Sequence, residues 1–433
     1  MSDSGSGNGR ARDYDAVIVG ASLAGATTAI LLGRAGASVA LVEKQPDPQA
    51  FKRICSHFIQ ASGVPTLERL DLLEPIMEAG GVRSAMHAWT RWGWIEAPPG
   101  RAGLGVNLRR EVLDPMVREV AAATPGVELL LGQAANDLLH DGGAVTGVSV
   151  RAPSGEGTEL RARLVVGADG RDSKIAELSG VKEKVLPHGR FAYGGYFEGE
   201  QPKYSPDGSI WMLDPHWGAA FPTDSGLVFY AAMPTMELLP EFKRDPTAAL
   251  ISYVEGFPEA PPIHSAQLVE QVLGKIEMPN RVRVPTAPGV ALTGDAALAT
   301  DPLFGVGCGW AFQSGEWLAD SVMPALRGEE SLERGLKRYR QLHKRRLGGH
   351  AFMIHDYATG RRLNRGERMM FAAAARDPKV AARFDRFATR QVGPARTLAT
   401  TIPRSLIVNA RYSRRRRQED APAAEGQAQA AVR

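Results

Sequence analysis

A short apolar strand that runs into a glycine-flanked turn and a small-residue helix constrains this chain most: Val17-Ile18-Val19-Gly20-Ala21-Ser22-Leu23-Ala24-Gly25. Residues 15–19 form the apolar run expected of a strand buried on both faces. The turn must bring backbone close to a ligand, so it admits no bulky side chain. The helix it opens offers unpaired N–H groups and the positive end of its dipole to a pyrophosphate. Gly20 and Gly25 supply the tight turn and the close helix–strand contact. Ser22 stands where many such turns have a middle glycine, and its hydroxyl adds a donor. Ala21, Ala24, Ala26 and Ala29 let the helix lie close to the sheet. A second strand, 38–42, ends at Glu43, with Lys44 beside it, 23 residues after Gly20. That is near the ~20-residue offset of a carboxylate that accepts from ribose hydroxyls.

Two more glycine-rich segments follow. One is Val165-Val166-Gly167-Ala168-Asp169-Gly170-Arg171-Asp172-Ser173; the other is Leu292-Thr293-Gly294-Asp295-Ala296-Ala297, continuing to Asp301-Pro302-Leu303-Phe304-Gly305-Val306-Gly307-Cys308-Gly309. In this order the three segments point to FAD, held non-covalently in an extended pose.

The remaining composition narrows the class. A length of 433 residues predicts two domains, and 44% hydrophobic content is ample for a sizeable core. No run approaches the ~18 apolar residues of a membrane span. The stretch to Arg12 reads as a flexible leader and not a signal peptide. Cys55 and Cys308 lie far apart in sequence, which predicts neither a disulfide framework nor a metal cluster and fits a reducing, cytoplasmic setting. Of the net charge of +4, residues 408–433 supply +3, from six arginines against three acids. The body is therefore near neutral, without the basic footprint of a nucleic-acid binder. The expected partner is a small molecule, and the expected assembly a monomer or homodimer.

Periodicity and turn signals divide the chain as follows. A leader covers 1–13. The FAD-binding domain is discontinuous, over 14–82, 107–183 and 284–330. A substrate domain of β-like runs covers 83–106 and 184–283. A C-terminal helical cap spans 331–411, and a disordered basic tail 412–433. In the cap, Leu332, Leu336, Tyr339 and Leu347 are expected to face the body while Arg334, Lys337, Arg338, Lys344 and Arg345 face water. The cap is expected to be packed on the FAD domain without creating a second active site. The class is thus α/β: a Rossmann-like FAD-binding domain with an inserted β-sheet substrate domain and a C-terminal helical region.

Over roughly residues 14–345 this order of segments resembles the para-hydroxybenzoate-hydroxylase-like flavoproteins, the group A FAD-dependent monooxygenases, with geranylgeranyl reductases and flavin-dependent halogenases as relatives. Gly20 to Gly25 with Glu43 is similar to their ADP-binding motif. Gly167-Ala168-Asp169-Gly170 with Ser173 is similar to their Asp-Gly motif. Gly294-Asp295-Ala296-Ala297 with Pro302, Gly305 and Gly307 is similar to the Gly-Asp motif that contacts the ribityl chain, which implies Asp295 as an acceptor from a ribityl hydroxyl. Arg110, heading Arg110-Glu111-Val112-Leu113-Asp114, resembles the arginine that reaches the pyrophosphate, with Arg109 as the adjacent alternative. Arg53 is placed near either the pyrophosphate or the pyridine nucleotide.

Departures are also visible. Leu298 stands where the family often has His, Val306 where it has Gln, and Gly309 where it has Asn. The ring end of the flavin site therefore relies more on the amides of Gly307, Cys308 and Gly309. The halogenase block after the Asp-Gly motif is here Trp217-Gly218-Ala219-Ala220-Phe221-Pro222, which lacks the second tryptophan and disfavours halogenation.

The resemblance implies NAD(P)H as reductant and oxygen added at flavin C4a, for hydroxylation or epoxidation of a hydrophobic or aromatic small molecule. The alternatives are a flavin-dependent reductase of unsaturated, isoprenoid-like substrates, less favoured a halogenase, or a non-catalytic FAD-binding protein. No catalytic side chain and no metal site is assigned. Expected substrate-side residues are Trp92, Tyr196, Trp211, Phe221 and Pro302, with Trp89, Trp94, Tyr193, Met212 and Phe229 as further wall candidates. Which parity of each strand faces inward is left open. His57 and His216 are the histidines nearest the expected site.

Overall fold

The computed structural model describes residues 12–100 and 104–430, so the leader expected over 1–13 lies almost wholly outside the described residues. β1 (Arg12–Val19), α1 (Leu23–Arg34) and β2 (Val39–Glu43) make the expected βαβ unit. β1 sits between β2 and the strand Gly157–Gly167, parallel to both. Val127–Leu131 and Val290–Leu292 extend the parallel run on either side. The first half of Gly157–Gly167 instead pairs with an antiparallel meander, Ala134–Asp141 and Ala144–Arg151.

Both faces of this sheet are covered, which is why its central strands read as unbroken apolar runs. Ile18, Leu41 and Val166 pack on one face against α1 and the helices Arg110–Ala123 and Gly307–Leu326. Val17, Ala40 and Val165 pack on the other, against the meander and Ile175.

A second, largely antiparallel sheet is built from Met86–Thr90, Gly93–Ile95, Ala192–Glu198, Gly208–Met212, Trp217–Pro222 and Val228–Met233, with short edge strands at Gln267–Leu268 and Leu273–Lys275. These are the segments the sequence assigns to the substrate side. One face buries Trp211, Tyr230 and Val228 against the helices Leu239–Arg244 and Pro246–Glu255. The other presents Met212, Ala219, Phe221 and Ala231 to the C-terminal helices.

Those helices are Leu332–Ala358, Arg365–Ala374, Pro378–Ala388 and Pro394–Ala430. In the first, Leu336, Tyr339 and Leu347 are buried while Arg334, Lys337, Arg338, Lys344 and Arg345 are exposed, as the periodicity predicts. The Tyr339 hydroxyl donates to the Leu292 carbonyl at 2.7 Å, tying the cap to the main sheet. One expectation is corrected here. The stretch expected as a disordered tail continues as helix to Ala430, since its alanine, glutamine, glutamate and arginine are good helix formers. Phe352, on the first of these helices, is 72% exposed. No helix among the described residues is long and apolar enough to cross a membrane.

Candidate functional site

The three glycine segments, spread over almost 300 residues, meet around the start of α1. Gly20 has φ +104°, and a Cβ there would stand 2.4 Å from the Ala168 carbonyl oxygen, so the first segment lies directly on the second. Gly294 has φ +58°, and its missing Cβ would lie 2.9 Å from the Cβ of Ala24, which lays the third segment on α1. Ser22 makes no side-chain cap to α1, and Val306 makes none to the helix Gly307–Leu326. Neither helix carries an acid in its first turn. Two helix N-termini are thus left with uncapped amides, the arrangement that anions and polar ring edges seek.

Charged side chains gather on the same loops. Glu43, at the end of β2, accepts from the Ala21 amide at 3.0 Å through one carboxylate oxygen and from the Gln45 amide at 3.0 Å through the other. Arg110 is buried at the head of its helix and donates to Ser22 Oγ at 2.8 Å. It also pairs with buried Asp114 at 2.6 Å. Burial opposes its charge, but the Asp114 carboxylate and the neighbouring Cys308 and Cys55 sulfurs together more than offset this and hold the guanidinium protonated. Arg109, the alternative, is turned away to Asp224 at 2.8 Å and Glu111 at 2.7 Å. Asp295 meets Lys52 at 3.3 Å. These donors and acceptors fit a dinucleotide: uncapped amides and an arginine for pyrophosphate, and carboxylates for polyol hydroxyls.

Substituting Arg110→Met should leave Asp114 buried and unpaired, a change that costs about 3–5 kcal/mol. A large drop in melting temperature together with reduced flavin content is the expected result. Wild-type stability in that variant would remove Arg110 from the site.

The two cysteines come together here, contrary to their separation in sequence. Cys55 Sγ and Cys308 Sγ lie 3.5 Å apart, both as free thiols. Arg110 Nη1 is 3.7 Å from one sulfur and 3.8 Å from the other. The hydrogen bond from Cys308, assisted by this cation, pushes Cys55 towards thiolate and raises Cys308 correspondingly. His57 adjoins them: it is buried, its Nδ1 accepts from the Arg110 amide at 3.1 Å, and its ring stacks on Tyr196 at 5.4 Å. No metal-ligand cluster occurs among the described residues.

Beyond the Gly305 loop lies a small, mostly apolar cavity that is partly open to solvent. Phe58, Met86, Met212, Trp217, Phe221 and Phe304 form most of its wall. Phe384, Asp385, Ala388 and Arg390 of the C-terminal region close it.

The expected residues are distributed unevenly. Gly20, Ser22, Ala24, Gly25, Glu43, Arg110, Gly294 and Asp295 converge, as do Gly305, Gly307, Cys308 and Gly309 on their own turn. Asp169 is spent locally: its carboxylate accepts from Ser173 Oγ and from the Ile175 amide at 3.1 Å, capping the short helix behind it. Lys44 and Arg53 are exposed beside β2 and on the following loop.

On the substrate side, Phe221 and Met212 line the cavity. Trp211 does not, because the strand's alternation sends it to the opposite core, where its indole donates to Pro258 at 2.9 Å. Trp89, Trp94 and Tyr193 share that far side. Trp92 lines a separate depression with Arg91, Asp214 and Arg368. Tyr196 packs on His57, and Pro302 is exposed. His216 makes structural contacts to Thr235 and Glu237. Lys52, Gln60 and the cavity groups Asp385 and Arg390 were not singled out from sequence. The only signal for Lys52 was its place after the ribose strand, and the cap residues carried none.

Comparison with known proteins agrees with this geometry. A family model described as FAD binding domain matches residues 13–350. A digeranylgeranylglycerophospholipid reductase of Picrophilus torridus is 24% identical over 355 residues, covering 77% of this chain and 83% of the relative. The solved structure of the flavin-dependent brominase Bmp2 superposes with a TM-score of 0.75 at 18% identity, covering 94% of this chain and 100% of that one. That of pqsL, a probable FAD-dependent monooxygenase from Pseudomonas aeruginosa, gives 0.65 at 22% identity, covering 81% and 98%. The two structures share the fold.

Proposed function

The chain belongs to the FAD binding domain family and is an FAD-dependent oxidoreductase; from that premise we propose that it uses NAD(P)H to reduce a double bond in a hydrophobic small molecule. The reading assigns the pyrophosphate to the start of α1 with Gly20, Ser22, Ala24, Gly25 and Arg110. It assigns a ribose to Glu43, the ribityl chain to Asp295 with Lys52, and the ring edge to the Gly307–Gly309 amides. FAD, when bound, supplies the two-electron transfer. The protein positions the substrate in the apolar cavity and keeps water from it.

The observation that carries reduction over oxygenation is the set of relatives: digeranylgeranylglycerophospholipid reductases are 24–26% identical over 74–78% of this chain. Two free thiols 3.5 Å apart adjoin the turn assigned to the flavin ring and are compatible with that reading. Monooxygenation is the second reading. It is favoured by the mostly apolar cavity wall, which the C-terminal helices help to form, because oxygen insertion requires water to be kept from the reacting atoms.

Anaerobic and aerobic turnover separate the two. Reduction should proceed without oxygen and add two hydrogens to the product. Oxygen uptake matched to a product heavier by one oxygen atom would establish the second reading instead.

A further inference from the structure

We propose that the outer face of the helix Pro394–Ala430 docks on an anionic lipid surface, lying along the membrane without crossing it. This helix lies beyond residues 13–350, which the family model matches, and its role does not depend on the choice between reduction and oxygenation.

The polarity of this helix is inverted for one packed on a protein core. Its inward face is largely polar: Thr397, Thr401 and Ser405 are buried, and the hydroxyls of the last two have no hydrogen-bond partner. Arg404 pairs with Asp377 at 2.7 Å, and Asn409 donates to the Met369 carbonyl at 2.9 Å. These contacts hold the helix against Arg365–Ala374 and against the start of Pro378–Ala388, which supplies Phe384 to the cavity wall. Its outward face is apolar: Leu398, Ile402, Leu406 and Ile407 are 38–56% exposed. Leu398, Ile402 and Leu406 recur at i, i+4 spacing and so stack in one row, with Ala399 and Ala410 exposed beside it. The helix Leu332–Ala358 meets the start of this one at Gly349, where a Cβ would stand 3.2 Å from Pro394. Phe352, one turn further along, is the most exposed large apolar side chain among the described residues.

A contiguous apolar row on a surface marks a contact with something, and the charge around it says with what. Residues 394–417 hold seven arginines and no acid. Of these, Arg404 is spent on Asp377, while Arg396, Arg411 and Arg414 are exposed. At about 100° per residue those three lie to one side of the apolar row. Lys344, Arg345 and Arg346, about two turns before Phe352, are exposed as well. Apolar side chains bordered by cations match acyl chains beneath anionic headgroups. A second copy of the chain laid on the same row would set these arginines against their own kind, with no acid in the segment to receive them.

The test uses FAD-loaded full-length protein, sedimented with two kinds of vesicle: phosphatidylcholine alone, and phosphatidylcholine with about 30% phosphatidylglycerol. Binding to the anionic vesicles should be on the order of tenfold tighter than to the neutral ones, and raising salt from roughly 0.05 to 0.5 M should remove most of that difference. The double variant Ile402→Glu/Leu406→Glu changes only exposed positions. It should keep the flavin content and melting temperature of wild type while no longer sedimenting with either vesicle. The triple variant Arg396→Gln/Arg411→Gln/Arg414→Gln should lower the preference for anionic lipid several-fold. Analytical ultracentrifugation without vesicles reads the oligomeric state of each form. Wild-type protein that stays in solution with anionic vesicles, equal binding to the two compositions, or vesicle binding unchanged in the double variant would each overturn the proposal. So would a dimer indifferent to vesicles that the double variant splits into monomers, which would make this face an interface between copies. None of these readouts involves turnover, so the proposal stands or falls separately from the reaction.

Discussion

Gly20→Val should give protein that carries no FAD. The backbone at this residue has φ +104°, a region that L side chains, and β-branched ones above all, rarely adopt. Strain of this kind costs ~1–3 kcal/mol. The new Cβ would also stand 2.4 Å from the Ala168 carbonyl oxygen and 2.7 Å from its carbon. Both are backbone atoms, just past the end of the strand Gly157–Gly167, so no flexible side chain can give way, and overpacking adds a further ~1–3 kcal/mol. Whichever way the loop moves to relieve this, α1 loses its approach to the second glycine segment. Flavin absorbance per protein and the melting temperature, measured together on the purified variant, check the expectation. Full occupancy with an unchanged melt would mean that this turn is not the phosphate loop.

The same geometry explains what was legible in the sequence. The first motif depends on neighbours within about thirty residues: strand, turn, helix, strand and Glu43 all lie in one βαβ unit, so spacing alone carries it. The choice of Arg110 over Arg109 rested on resemblance, and the fold separates them physically: one side chain enters the core to meet Asp114 and Ser22, the other reaches Asp224 in the second half of the chain. The Cys55–Cys308 contact joins residues 253 positions apart and has no local signature.

Strand parity was equally hidden, for a definite reason. Both faces of the second sheet are buried, one by Leu239–Arg244 and Pro246–Glu255 and the other by the C-terminal helices. The usual apolar–polar alternation that marks an inward face is therefore missing. Trp211 and Met212 look alike as candidates, and only the register that pairs Trp211 with Gly218 and with Trp89 decides between them. Arg390 and Asp385 were invisible for another reason. On an amphipathic helical segment a charged residue reads as a solvated one, and nothing local tells that a neighbouring sheet covers it.

Ending the chain after Gly328 should give insoluble or flavin-poor protein, because the helices beyond it complete two cores at once. Leu336, Tyr339 and Leu347 are buried against the first domain or beside its flavin-side helix. Tyr357, Phe371 and Val380 are buried on the face of the second sheet. Burial of each large apolar side chain stabilises by roughly 1.5–3 kcal/mol, so their joint loss is comparable to the whole ~5–15 kcal/mol that holds a typical domain folded. The truncation also removes the Tyr339 hydrogen bond to Leu292, next to Gly294 and Asp295, and opens the cavity wall formed by Phe384 and Arg390. Ending instead after Tyr412 keeps all of these, including the Tyr412 ring 3.7 Å beneath the Arg376 guanidinium. That form should retain wild-type flavin content and turnover. Soluble yield, flavin occupancy and NAD(P)H oxidation of the two truncations form the comparison. A fully active protein ending at Gly328 would make the C-terminal helices an independent appendage.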